Sequence, residues 1–292
     1  MKQNAITRRQ ALFSLATISA GVLIKPSSIF CSPVESKIRF AVIGDWGTGG
    51  RDQIGIAKRM LDAHQRTRFD FVISTGDNVY PNGNARYFDR SFEQPFGPLL
   101  KDKVKFYTVF GNHDVEEGRE AQSQYPLFNM GGQHYYKIER GNGLVDFFML
   151  DSNDFGATQT RWLDESLRNS KAKWKVAVFH HPIYSSGKHH GSAVGLRKQL
   201  EPLFTRYNVN VAFSGHDHIY ERTVPQQGVQ YFVSGAAGKR AGVDKNSALS
   251  AASFDGDNHF MMIEISENQV DFKAISQAGD VIDNGLIKQA VA

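Results

Sequence analysis

Two stretches of the same form decide the fold: I-R-F-A-V-I-G-D-W-G at residues 38–47 and F-V-I-S-T-G-D-N-V-Y at residues 71–80. Each is a short apolar run that stops at a glycine and hands over an aspartate. Between them, residues 52–65 place Ile54, Ala57, Met60 and Leu61 at helical spacing. Strand, helix and strand in succession imply parallel pairing, with the helix packed outside the sheet.

The unit recurs downstream. Residues 104–110, 144–150, 174–179 and 209–213 are strand-like, and residues 158–169 and 195–207 read as helices. After Gly215 the character changes. Residues 229–234, 260–265, 270–275 and 281–287 are short runs separated by Gly, Asn and Asp, which predicts an antiparallel finish. No internal repeat or low-complexity linker interrupts the chain, and its 41% hydrophobic content is ample for one large α/β core.

Chemistry collects where the apolar runs end. G-D-W-G (44–47), G-D-N-V-Y (76–80), G-N-H-D (111–114), H-H-P (180–182) and G-H-D-H (215–218) offer aspartates, a tyrosine, an asparagine and several histidines. This oxygen and nitrogen donor set lacks thiolate and suits iron, zinc or manganese. There are donors enough for two metals, a standard device for hydrolysing phosphate esters. Open α/β sheets bring such strand-end loops into one crevice, so Asp45 and His218 can meet despite their separation in sequence.

The net charge of +4 misleads. Residues 1–31 hold Lys2, Arg8, Arg9 and Lys25 and no acid, so the rest carries 34 − 4 = 30 basic against 30 acidic residues. A balanced chain offers no polyanion-binding surface, and nucleic acid is not expected as a partner. Thr7–Arg8–Arg9–Gln10–Ala11–Leu12–Phe13 followed by an apolar stretch over residues 11–24 reads as a twin-arginine leader, expected to span residues 1–32. Export by the twin-arginine machinery, a periplasmic or secreted location and a mature form without a membrane anchor follow. The one cysteine, Cys31, falls at the leader boundary, so the core and the metals must supply stability without disulfides.

The ordered motif series resembles the metallophosphoesterases, and Tyr80, three residues after Asp77, narrows the likeness to the purple acid phosphatases. The resemblance runs from Ile38 to the C-terminus. It implies a catalytic domain over residues 33–292 built as two facing mixed β-sheets flanked by helices, a four-layer α/β/β/α sandwich. It also implies a dinuclear centre. Asp45, Tyr80 and His218 would hold Fe(III), Asn112, His180 and His216 a divalent ion (Fe, Zn or Mn), and Asp77 would bridge them. A phenol of ordinary pKa near 10 needs a strongly acidic ion to ionise it at low pH, and a neutral Asn carbonyl suits the less charged ion.

Two more histidines are expected to act on the substrate. His113 follows Asn112, with Asp114 beside it to orient the imidazole or raise its pKa. His189 lies nine residues after His180, where the family places a substrate-facing histidine, and the adjacent His190 remains an alternative. His64, His134, His181 and His259 lack such context and read as surface or packing residues.

The expected activity is hydrolysis of small phosphate monoesters by a hydroxide that the metals activate, under acidic conditions. Against three negative ligand charges the two ions would bring five positive ones, a focus able to hold a phosphate dianion without a basic patch. The rival on the same fold is a phosphodiesterase or nucleotide hydrolase with two divalent metals. A non-enzymatic phosphate- or metal-binding protein is a rival of another class, disfavoured by His113. Compared with the family, residues 150–163 are short where small animal members carry a long covering loop, which predicts an open site. No room is left between the leader and Ile38 for the extra domain of the large plant enzymes.

Overall fold

The computed structural model describes residues 37–289, so the expected leader, with Arg8, Arg9 and Cys31, lies outside the described residues. The chain begins with β1 (Ile38–Ile43), α1 (Arg51–Arg66), β2 (Phe71–Ser74), α2 (Gln94–Lys101) and β3 (Lys105–Thr108). Two short helices, α3 (Asp114–Glu117) and α4 (Arg119–Gln124), lead to β4 (Tyr136–Arg140) and β5 (Val145–Met149). Then come α5 (Ala157–Asn169), β6 (Trp174–Val178), α6 (Val194–Arg206) and β7 (Val211–Ser214). The remainder is β8 (Tyr220–Thr223), β9 (Gln230–Ser234), β10 (Ser250–Phe254), β11 (His259–Ile265), β12 (Gln269–Ser276) and β13 (Val281–Lys288).

These strands form two mixed sheets, ordered β13-β12-β11-β1-β2-β3 and β10-β8-β9-β7-β6-β5-β4. In the first sheet β1, β2 and β3 run parallel and β11 joins β1 antiparallel. In the second, β5, β6, β7 and β9 run parallel. The expected antiparallel finish therefore holds for β11–β13 but not for β9, which pairs parallel with β7 and antiparallel with β8. β4, β8 and β10 were not legible as strands, because Y-K-I-E-R, Y-E-R-T and S-A-A-S-F contain no apolar run.

Aromatic rings join the sheets. Phe40 of β1 stacks on Phe71 of β2 at 5.3 Å between centroids and meets Phe147 of β5 edge-on at 5.2 Å. Phe213 and Phe232 continue the contact on the opposite sheet, 5.4 Å apart. Such pairs add about 0.5–1.5 kcal/mol each beyond the area they bury. Helices cover the outer faces. α1 buries Gln53, Ile56, Ala57, Met60 and His64, whereas Ile54, expected on that face, is exposed. Positions 53, 56, 57, 60 and 64 follow the helical repeat more closely than a stripe through 54. α5 and α6 pack Leu163, Leu167, Leu200 and Phe204 against Phe148 and Phe179 on the other side.

The parallel strands of both sheets end at one edge of the sandwich, and all five motifs follow those ends. The Ala237 N–H donates to the Gly44 carbonyl at 3.1 Å, tying the segment after β9 to the end of β1. Loops from both sheets thereby face one another across a single crevice.

Candidate metal centre

Three of the strand-end residues sit in the left-handed backbone region: Asp45 at φ 57°, Asp77 at φ 52° and His216 at φ 67°. A non-glycine residue there costs of order 1–3 kcal/mol and persists where the surroundings fix it. Each directly follows a glycine at a strand end. Two strand-end glycines are needed for close approach, since a Cβ on Gly215, before His216, would collide with the Asp45 carboxylate, and one on Gly111, before Asn112, with that of Asp77.

The seven expected ligands converge. Asn112 Oδ1 lies 3.1 Å from His180 Nε2 and 2.9 Å from His216 Nδ1. His218 Nε2 is 3.4 Å from Asp45 Oδ1 and 3.4 Å from the Tyr80 hydroxyl. Asp77 stands between these groups, accepting from the Tyr80 hydroxyl at 2.6 Å with one oxygen and facing His180 Nε2 at 3.5 Å with the other. Asp45, Asp77 and His218 form one group able to hold a cation, and His180, His181 and His216 form another. Behind them, His180 Nδ1–H donates to the Thr75 carbonyl at 2.9 Å, which leaves Nε2 for the centre.

Electrostatics tests whether cations fit. Burial pushes the Asp45 carboxyl well above its usual range, and the neighbouring Asp77 adds to the shift. Burial, then Asp45 and Asp77, push the Tyr80 phenol up. Asp45 and Tyr80 thus sit beside Asp77 in a buried space where their own ionised forms are unfavourable. Bound cations would reverse that penalty. On the imidazole side, burial holds His180 well below its ordinary value and His216 down to about 2, so both stay neutral and available as donors. The donor set fits two metal ions.

The catalytic histidines are placed less simply. His113 is not oriented by Asp114: its Nδ1 lies 2.6 Å from the Pro81 carbonyl and 3.8 Å from Glu116, and its ring packs on Tyr80. Asp114 instead points inward. It accepts from the backbone of Asn78, Val79 and Gly111 and from the side chains of Asn78 and Gln122. That joins the Asp77–Tyr80 loop to the Asn112 loop. Burial, with the charge of Asp77, pushes its carboxyl up to about 7.

Of the His189–His190 pair, His190 reaches the centre, its ring stacked on His216 at 3.9 Å between centroids. His189 meets His190 at 4.3 Å, a place one step outward. The buried Asp217 holds their loop, accepting from Ser185 Oγ at 2.5 Å and from the His190 and Gly191 N–H groups at 3.1 and 3.0 Å. His181 is expected from its sequence context to be a surface or packing residue. It lies 4.5 Å from His216 between ring centroids and bonds Ser152 Oγ at 2.9 Å, so it belongs to the centre. Its signal was the doublet H-H directly after an apolar run. Lys239, which no sequence motif marks, lies over the Tyr80 ring at 3.6 Å.

A family model for calcineurin-like phosphoesterases matches residues 38–220. Tartrate-resistant acid phosphatase type 5 of Rattus norvegicus is 31% identical over 252 residues, covering 74% of this chain and 77% of that protein. Purple acid phosphatase 17 of Arabidopsis thaliana is 31% identical over 245 residues, 72% of each. Among solved structures, GAP50, the anchor in the inner membrane complex of Plasmodium, shares the fold at a TM-score of 0.75 with 24% identity, covering 88% of this chain and 90% of that one. The chain belongs to the calcineurin-like phosphoesterases, and within them to the purple acid phosphatases.

Proposed function

We propose that this protein is an acid phosphatase that hydrolyses small phosphate monoesters at a dinuclear metal centre. The observation that supports it best is Asp77, whose two carboxylate oxygens face the Tyr80 hydroxyl and His180 Nε2 at 2.6 and 3.5 Å, one from each half of the donor set. Asp45, Tyr80 and His218 would hold Fe(III), and Asn112, His180 and His216 a divalent ion of iron, zinc or manganese. When bound, the pair supplies Lewis acidity, polarising a phosphoryl oxygen and lowering the pKa of water enough to furnish a nucleophile in mild acid.

The chain's own residues then act on the ester. His113 Nδ1–H donates to Pro81 O, which fixes the ring and leaves Nε2 to carry a proton to the departing alkoxide. His190 is set beside His216 to hold a phosphate oxygen, and Asp217 keeps its loop in place. The backbone N–H of His113 bonds Asp77 Oδ1 at 3.1 Å, coupling the acid residue to the bridge.

The deciding experiment is elemental analysis and a visible spectrum of purified protein reconstituted with iron and a divalent ion. Rates on a monoester and on a bis-ester analogue are then compared from acid to neutral pH. Two metals per chain, a visible band and a monoester preference in acid are expected. Active, colourless protein with two divalent ions and a bis-ester preference would overturn the reading. Export belongs to the proposal: replacing Arg8 and Arg9 by lysine should leave activity in the cytoplasm.

A further inference from the structure

Tyr80 is the aromatic member of the proposed ligand set, and a cation lies on its face. Lys239 Nζ stands 3.6 Å from the ring centroid, while the phenol oxygen of the same ring is 2.6 Å from Asp77 Oδ2. Backbone contacts hold the lysine there. The Ala237 N–H donates to the Gly44 carbonyl at 3.1 Å, and the Ala241 N–H to the His218 carbonyl at 2.8 Å. The segment is therefore tied at both ends to the loops that carry Asp45 and His218. Gly238 lies flat against the same loop, where a Cβ would stand 2.7 Å from the Trp46 carbonyl oxygen. Asp77 and Asp45 also act on the ammonium electrostatically, and the ring face is the close contact it makes.

We propose that Lys239 tunes Tyr80 as a metal ligand, its ammonium setting the absorption energy and the reduction potential of the iron site. The inference rests on the phenolate–Fe(III) reading above. A cation over an aromatic face is attracted by the ring's electrons, and the attraction grows when the ring carries a negative charge. It lowers the energy of the electrons from which charge transfer to the metal starts. The absorption therefore lies at shorter wavelength than it would without the lysine. The same fixed positive charge makes an added electron on the iron more favourable, which raises the potential. Lys239 touches the ligand and not the reacting atoms, so it is a tuning residue.

The test compares full-length wild type with Lys239→Met, Lys239→Gln and Lys239→Arg, each loaded with iron and zinc and checked for iron per chain. Both neutral variants should absorb at longer wavelength than wild type and need a stronger reductant to bleach, with Lys239→Arg close to wild type. Wild-type band position and potential in the neutral variants would overturn the proposal. So would a Lys239→Arg shift as large as theirs, because packing rather than charge would then be the cause. An iron-loaded wild type without a visible band would overturn the Tyr80 reading itself. A coloured wild type with unmoved variants would sink this inference alone.

Discussion

The two halves of the centre differ in donor type, since only the first adds acids to its histidine, His218. Asp45, Asp77 and Tyr80 bring oxygens that can ionise, and burial with mutual repulsion pushes the Asp45 and Tyr80 groups toward their protonated forms. Asn112, His180 and His216 bring neutral donors, and burial pushes the two imidazoles further from protonation. In the first half burial opposes ionisation of Asp45 and Tyr80, and a bound cation would favour it. The second is ready to bind with little charge to compensate. A highly charged ion suits the first and a divalent ion the second, and that asymmetry is carried by residue type alone.

The harshest way to break the comparison is to remove the group shared by both halves. Asp77→Ala should strip both metals and abolish turnover, and elemental analysis of the purified variant checks it. Two retained metals with full activity would refute the bridge. Asn112→Ala should act on one half only, lowering divalent content while iron stays, so a loss of both ions in parallel would erase the distinction. His113→Ala should keep both metals and lower turnover roughly 10²–10⁴-fold. That loss should shrink on leaving groups such as nitrophenol that need little protonation, and an equal loss on all substrates would point to phosphate positioning.

A finer comparison sets His190 against His189. Losing a hydrogen bond to a charged oxygen costs about 1.5–3 kcal/mol, so His190→Ala should lower kcat/KM by roughly 10- to 150-fold. His189→Ala should change it little, and the reverse ranking would relocate the substrate contact.

The smallest effect concerns stability below the segment that carries Lys239. The His259 backbone N–H donates to the Ala236 carbonyl at 3.0 Å, and burial pushes the imidazole from 6.5 down to about 3. Between those values the unfolded chain binds a proton that the folded chain does not, so this residue's effect is to lower stability as pH falls through that window. At about pH 5 the loss is about 2 kcal/mol relative to neutral pH. In metal-free protein, His259→Gln should show a shallower fall in urea midpoint than wild type. Parallel pH profiles for the two would show that the imidazole is not held neutral.

Much of this centre was legible because its donors follow apolar runs at glycines, a pattern visible one motif at a time. Asp45, Asp77 and His216 combine that position with a left-handed backbone, and the glycine before each announces the turn. What misled the reading was adjacency. Asp114 is next to His113 in sequence but turns inward to five donors, while Glu116 and Pro81 flank the imidazole. His189 and His190 could not be separated either, because the loop geometry that Asp217 fixes depends on residues more than twenty-five positions away.

The sequence by itself determined the donor types, their order and the strands that carry them, since periodicity and strand-end glycines are local properties. The tertiary structure decided which histidine faces the centre, that His181 joins it, and that a lysine lies on Tyr80. Those depend on two sheets closing against each other, so that the segment after β9 meets the loops after β1 and β2. No local spacing encodes that meeting. It follows from packing aromatic side chains between the sheets, which fixes where the two rows of strand ends come to rest.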